Sequence, residues 1–190
     1  KNIFNDIKTW NDEDLKDNKI LVYNEQGLGD TIQFSKNLLK LSETCKNIDF
    51  VVGNKLFPIF KKKIHNINIC KKEDIFKKKY DYKISLGSLN KNFYNNNNHK
   101  SSELINCNKN KNKIWKNKLE IDKVNIGLTW SGNFFGPKEP FRSIELKKFS
   151  RILNLDINFY CLQSEIWDRD KNFFENSKVI DYGKNDFEEI

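Results

Sequence analysis

Methionine is absent from all 190 residues. A translated chain begins with it, so Lys1 reads as an interior position of a longer protein. Also missing is any apolar run approaching the roughly 18 residues of a membrane-crossing helix. The start, Lys1 to Asp6, lacks the basic-then-apolar order of a signal peptide. Histidine occurs only at 65 and 99, and Cys45, Cys70, Cys107 and Cys161 stand far apart. That excludes zinc-ligand spacing, so no metal is expected. Cys161 sits in an apolar run and Cys70 ends one, as small buried hydrophobes do. Reduced thiols point to the cytoplasm, with peripheral attachment at an inner membrane left open.

Arginine is scarce, at 142, 151 and 169 only; lysine supplies the rest of the 34 basic residues, against 26 acidic ones. The net charge of +8 attracts anions such as nucleotide phosphates, nucleic acid or anionic lipid. Heavy use of Lys, Asn and Ile is also what AT-rich coding produces. The lysines are scattered rather than interleaved with aromatics in one stripe, which argues against nucleic acid. With 37% hydrophobic and 13% aromatic residues the chain has material for a core, which excludes a disordered polypeptide.

What is present is an alternation of short apolar runs and helical periods. Ile20-Leu21-Val22-Tyr23 ends at Asn24-Glu25-Gln26-Gly27-Leu28-Gly29, and Ile32, Phe34, Leu38, Leu39 and Leu41 then recur at helical spacing. Strands are expected at Ile48 to Gly53, Ile67 to Cys70 and Tyr82 to Leu86, with a short helix capped by Asn54 running through Phe57 and Phe60. Asn95 to Lys113 is Asn/Lys/Ser-rich and reads as a mobile loop. Ile114, Trp115 and Leu119 suggest a helix closing a first domain at 1–120. A second series at 121–190 has strands at Val124 to Trp130, Ile157 to Leu162 and Val179-Ile180. Between the first two of these lies a helix capped by Ser143, and a further helix begins at Phe187. The fold class is α/β: a Rossmann-like domain with a parallel sheet, then a second one, truncated, whose apolar strand face near Ile157 to Leu162 is expected to be exposed.

The turn from Glu25 to Asp30 admits three chemistries. A dinucleotide fingerprint, G-x-G-x-x-G, finds Gly27 and Gly29 but Ile32 at its third position. A methyltransferase-like acid-x-Gly-x-Gly loop fits Glu25, Gly27 and Gly29, yet it wants an acid ending the second strand, where Val52-Gly53-Asn54 stands. In the third reading Asp30 is a general base. Against it, Asp30-Thr31-Ile32-Gln33 matches a capping box, with Asp30 as the helix N-cap. In the second series, Ser131 and Gly132 follow a strand and offer a hydroxyl and an N–H to phosphate oxygens. Arg142 is suited to pair with a leaving diphosphate. Gln163 ends a parallel strand, where α/β proteins bind ligands. Glu165, Asp168 and Asp170 read as the ordinary acid bias of a helix start and receive no chemistry.

Asn24 to Phe34 closely resembles the signature of bacterial glycosyltransferase-like domains found downstream of tetratricopeptide repeats, which are similar to the heptosyltransferases of glycosyltransferase family 9. Trp10 lies before the first strand, as that group's tryptophan does. Asp81 to Leu89 is similar to its fourth-strand motif, with Asn90 where proline is usual. Ile126 to Asn133, Arg142-Ser143-Ile144 and Phe159 to Gln163 follow in order. The resemblance implies a two-domain GT-B fold with the active site in a cleft between the domains, and an inverting, metal-independent transfer from a nucleoside-diphosphate sugar, with no cofactor. Asp30 would be the acceptor base, with Gln26, Gly27 and Gly29 in the acceptor-side loop. Ser131, Gly132, Asn133, Arg142 and Gln163 would bind the donor. The acceptor, a glycan, lipid or protein, is not specified. Repeats would precede this chain, and the group's Asp-Thr donor turn would lie beyond Ile190. The alternatives are a non-catalytic binding or assembly module that keeps the fold, and, third, a Rossmann-type methyltransferase.

Overall fold

The computed structural model describes residues 3–60, 63–93, 104–106, 108–120, 122–132 and 139–182. The chain divides into two compact units, Lys1–Asn108 and Lys109–Ile190.

In the first unit the apolar runs form strands β1 (Lys8–Thr9), β2 (Lys19–Tyr23), β3 (Asn47–Val51), β4 (Lys63–Ile64), β5 (Ile67–Cys70) and β6 (Tyr82–Ser85). Their order in the sheet is β1-β6-β2-β3-β5-β4. All neighbours run parallel except β4, which pairs antiparallel with β5 at the edge. Helices α1 (Leu28–Phe34), α2 (Lys36–Leu41) and α3 (Leu86–Phe93) complete the unit. Strand alternation sends Ile20, Val22, Ile48, Phe50, Ile67, Ile69 and Ile84 into the main core, with Leu38, Leu39 and Leu41 of α2 and Leu86 and Leu89 of α3. Leu21, Val51 and Cys70 join Ile75 in a smaller cluster. A parallel sheet needs this cover on both faces.

From β2 the chain moves outward through β3 to β5, then returns to place β6 on the other side of β2. The order therefore reverses between β2 and β6, and α/β sheets bind ligands at the carboxyl ends of strands at such a reversal.

On the smaller-cluster side the strand pattern also buries a charge. Asp49, in the middle of β3, is 4% exposed. It accepts hydrogen bonds from Tyr80 Oη (2.7 Å), Lys78 Nζ (2.9 Å) and Asn68 Nδ2 (3.0 Å), and Lys19 Nζ lies at 3.2 Å. Burial pushes its carboxyl up, but those hydrogen bonds and the Lys19 charge outweigh burial and hold it below the ordinary value. Burial first, and then the hydrogen bond to Asp49, push the Tyr80 hydroxyl far up.

The second unit has α4 (Lys109–Lys118), β7 (Asn125–Leu128), α5 (Glu139–Arg142), α6 (Ser150–Leu153), β8 (Asn158–Cys161), α7 (Asp168–Glu175) and β9 (Ile180–Asp181). Its parallel sheet has the order β7-β8-β9. Phe159 and Cys161 pack with Trp130, Leu146, Leu153 and Val179 in a separate core.

Several expectations change. The first helix begins at Leu28, with Gly27 as N-cap, so Asp30 is its third residue and the capping box does not form. Thr31 explains the earlier start, since its N–H and its hydroxyl both donate to Gly27 O, at 3.0 and 2.8 Å. The segment after Gly53 makes turns bonded back to Gly53 O, not a helix capped by Asn54. Lys109 to Lys113 is helical, not loop, and its helix groups with the second unit, which moves the boundary from 120/121 to 108/109. Ser143 caps no helix: a 3₁₀ turn at Leu146–Phe149 follows, with Glu145 before it. Of the stretch expected to be exposed, Phe159, Tyr160 and Cys161 are buried and Leu162 is exposed, as are Val124 and Ile126 at the β7 edge. Cys107, Asn133 and the helix expected from Phe187 lie outside the described residues.

Among the described residues no helix is long and apolar enough to cross a membrane. Burial pushes the thiols of Cys45, Cys70 and Cys161 up, which keeps them protonated and unreactive.

Candidate functional site

Two turns, one in each unit, leave the carboxyl end of a parallel strand and carry the residues singled out above.

In the first unit β2 ends at Tyr23, and residues 24–27 lead into α1. Gly27 has ordinary extended torsions, φ −62° and ψ 171°, so glycine is not required there for a left-handed turn. Its value is space: Asp30 Oδ2 folds back to within 3.3 Å of where a Gly27 Cβ would sit. A Cβ on Gly29 would meet nothing within 4 Å, which leaves the backbone there approachable from solvent. Gln26, Gly27, Gly29 and Asp30 are all exposed on this one turn. Thr31, fully buried, holds the turn's shape through Gly27 O, and Asn24 Nδ2 reaches Thr31 Oγ1 at 3.4 Å.

Across the reversal point, Ser85 ends β6 and opens α3. Its Oγ accepts from Ser88 N (3.3 Å) and donates to Ser88 Oγ (2.8 Å). Glu25 Oε1 lies 2.8 Å from the Cβ position of Gly87, so any larger residue at 87 would displace that carboxylate. The site thus holds two carboxylates, Glu25 and Asp30, with hydroxyls at Ser85 and Ser88. The Gly87 contact was missed from sequence, because it joins two segments far apart in the chain.

In the second unit the turn after β7 is stapled from β8. Gln163 Oε1 accepts from Trp130 N (2.6 Å) and Ser131 N (2.8 Å), while its Nε2 donates to Ser131 Oγ (2.9 Å) and Glu165 O (2.9 Å). The buried amide of Gln163 is therefore engaged in shaping the turn, and its role is positioning. Gly132 N donates to Ser143 Oγ at 3.3 Å, and Ile144 N donates to Trp130 O at 2.9 Å, so the segment after Arg142 lies along the turn.

Asp170 is 2% exposed in the first turn of α7. It accepts from Leu146 N (2.9 Å) and Trp130 Nε1 (3.1 Å), locking the indole beneath the turn. Trp130 also stacks on Phe174. Sequence reasoning gave Asp170 no role. Three acids stood at that helix start, and only the packing shows which one turns inward.

The turn is flanked by two hollows of about 340 Å³ each. One is lined by Ser131, Gly132, Gln163, Ser164 and Glu165. The other is lined by Trp130, Ser131, Gly132, Arg142 and Phe149. Both are open, with room for a phosphate-bearing group beside the Ser131 hydroxyl and, in the second, the Arg142 guanidinium. The fold thus brings together four of the five expected donor-side residues, Ser131, Gly132, Arg142 and Gln163. It brings all four acceptor-side residues together in the other unit. Among the described residues no three His, Cys, Asp or Glu side chains gather where they could hold a metal ion.

Comparison with protein-family models, with curated proteins and with solved structures returns no match for this chain.

Proposed function

We propose that this chain belongs to a GT-B-type glycosyltransferase that moves a sugar from a nucleoside-diphosphate donor to an acceptor hydroxyl. One observation carries the reading. Each unit sets its candidate turn at the carboxyl end of its first long parallel strand, Gly27 to Asp30 after β2 and Thr129 to Gly132 after β7. One turn presents an exposed carboxylate, and the other presents phosphate donors.

The chemistry is a single displacement with inversion and needs no metal. The acceptor O–H gives its proton to the Asp30 carboxylate as its oxygen bonds to the anomeric carbon. The bond from that carbon to the diphosphate oxygen breaks, and the nucleoside diphosphate leaves. Its added charge is met by the Arg142 guanidinium and the Ser131 hydroxyl, while the Gly132 N–H, which donates to Ser143 Oγ, fixes the backbone beside them. Gln163 holds those groups in register. Glu25, held against Gly87, is a second acceptor of hydrogen bonds from a polyhydroxylated substrate.

The methyltransferase reading loses support. It wants an acid at the end of β3, and the one acid in that strand, Asp49, sits mid-strand, buried among Lys19, Lys78, Tyr80 and Asn68.

The reading is tested by calorimetric titration of nucleoside diphosphates into the chain, with Arg142→Ala alongside. Losing one charge-assisted pair should weaken binding roughly 10- to 100-fold with little change in melting temperature, because Arg142 is exposed. Equal affinity in the variant would remove Arg142 from the donor site.

A further inference from the structure

We propose that α4 docks the second unit onto an anionic phospholipid bilayer, a property that goes beyond the glycosyltransferase reading and does not depend on it. The helix Lys109–Lys118 contains five lysines and no acid. Trp115 fixes its orientation. The indole packs edge-on against Tyr182 at 5.3 Å, Tyr182 stacks on Tyr160 at 5.2 Å, and Tyr182 Oη donates to Lys118 O at 3.1 Å. With the Trp115 side turned toward the unit, a spacing of about 3.6 residues per turn puts Lys109, Lys113 and Lys116 on the outer side. All three are exposed.

Charge separates this face from an ordinary solvated one. Elsewhere in the unit Lys123, Lys147 and Lys171 each have a carboxylate within 3.3 Å, from Asp156, Glu145 and Asp168. Among the described residues no carboxylate lies within ion-pair distance of Lys109, Lys113 or Lys116. A face of unneutralised ammonium groups is complementary to a sheet of lipid phosphates. Lysine stems lie well along such a boundary. Nucleic acid fits less well. The helix has no arginine for bidentate phosphate or base contacts, and its one aromatic ring is engaged with Tyr182 and so cannot stack on bases.

The test is co-sedimentation of the 190-residue chain with vesicles of mixed phosphatidylcholine and phosphatidylglycerol, with pure phosphatidylcholine as the neutral comparison. Binding is expected only to the anionic vesicles, and it should fall steeply with added salt. Each lysine near an anionic surface contributes about fivefold in partitioning, so Lys109→Gln/Lys113→Gln/Lys116→Gln should lose roughly 100-fold. The same three changed to Arg keep the charge and should keep binding, which separates a docking defect from a folding defect. Lys55→Gln/Lys72→Gln/Lys77→Gln, in the first unit, removes the same net charge from exposed positions and should stay within a few-fold of the parent. An equal loss in that control, binding to neutral vesicles, or tighter binding of an RNA oligonucleotide than of anionic vesicles would each overturn the proposal.

Discussion

On the proposed glycosyltransferase reading, Asp30→Asn should leave the protein folded and able to bind a nucleoside-diphosphate donor, yet reduce sugar transfer by roughly 10²–10⁴-fold, the usual contribution of a general base. The structure makes this a clean substitution. Gly27, not Asp30, is the N-cap of α1, and no side-chain cap bond depends on Asp30. Removing its charge from the first helical turn costs about 0.3–1 kcal/mol, and Asp30→Ala should cost no more than Asp30→Asn. Near-equal stability of the two variants, measured by urea unfolding, separates this geometry from a capping role, in which Ala would lose about 1 kcal/mol more. Retained turnover in Asp30→Asn would strip Asp30 of its role as base.

The largest stability effect is expected at Asp49. Asp49→Ala removes the acceptor shared by Lys19, Lys78, Tyr80 and Asn68. Both ammonium groups are about one-third exposed and can turn to water, which discounts the loss. The Tyr80 hydroxyl and Asn68 amide are left without that acceptor. The expected cost is about 3 kcal/mol, a fall of roughly 6–12 °C in melting temperature. The pH dependence has a definite sign. The folded carboxyl titrates below its ordinary value, so its contribution is complete above the unfolded value of about 4 and is lost as pH falls through the lower folded value. The parent should therefore lose stability with acid more steeply than Asp49→Ala. Parallel acid profiles for the two proteins would show that the carboxylate contributes no net stability.

The strands were legible because runs such as Ile20 to Tyr23 and Ile67 to Cys70 are too apolar to lie anywhere but in a buried sheet, and the turns between them announce themselves by Gly and Asn. The two-residue strands β1 and β4 carry no such pattern and exist only through their neighbours. The start of α1 was misplaced because Asp30 to Gln33 satisfies a capping pattern locally, while the deciding bonds run from Thr31 to Gly27. Lys109 to Lys113 read as loop by composition, and its helix is held by Trp115 against Tyr182, a partner that no local window contains. Site residues followed the same division. Arg142, at the end of α5, stands out by its charge and by the resemblance of Arg142-Ser143-Ile144, whereas Ser131 could be found from the strand end it follows. Gln163 could be placed there too, but whether its amide faced the turn or a ligand was a matter of side-chain direction, as was the inward aim of Asp170. Asp49 could have been flagged from sequence, since a lone acid inside Ile48 to Val52 must find donors if the run is buried.

The central claim is that the turn after β7 receives a nucleoside diphosphate. It is tested most directly by titrating nucleoside diphosphates, and separately an S-adenosyl compound, into ¹⁵N-labelled protein while backbone amides are followed. The account predicts saturable shifts for a nucleoside diphosphate centred on Ser131, Gly132 and Arg142, with none from the S-adenosyl compound at Gly27 to Gly29. No saturable shift at Ser131 and Gly132 with any nucleoside diphosphate, or a saturable response of Gly27 to Gly29 to the S-adenosyl compound, would contradict it.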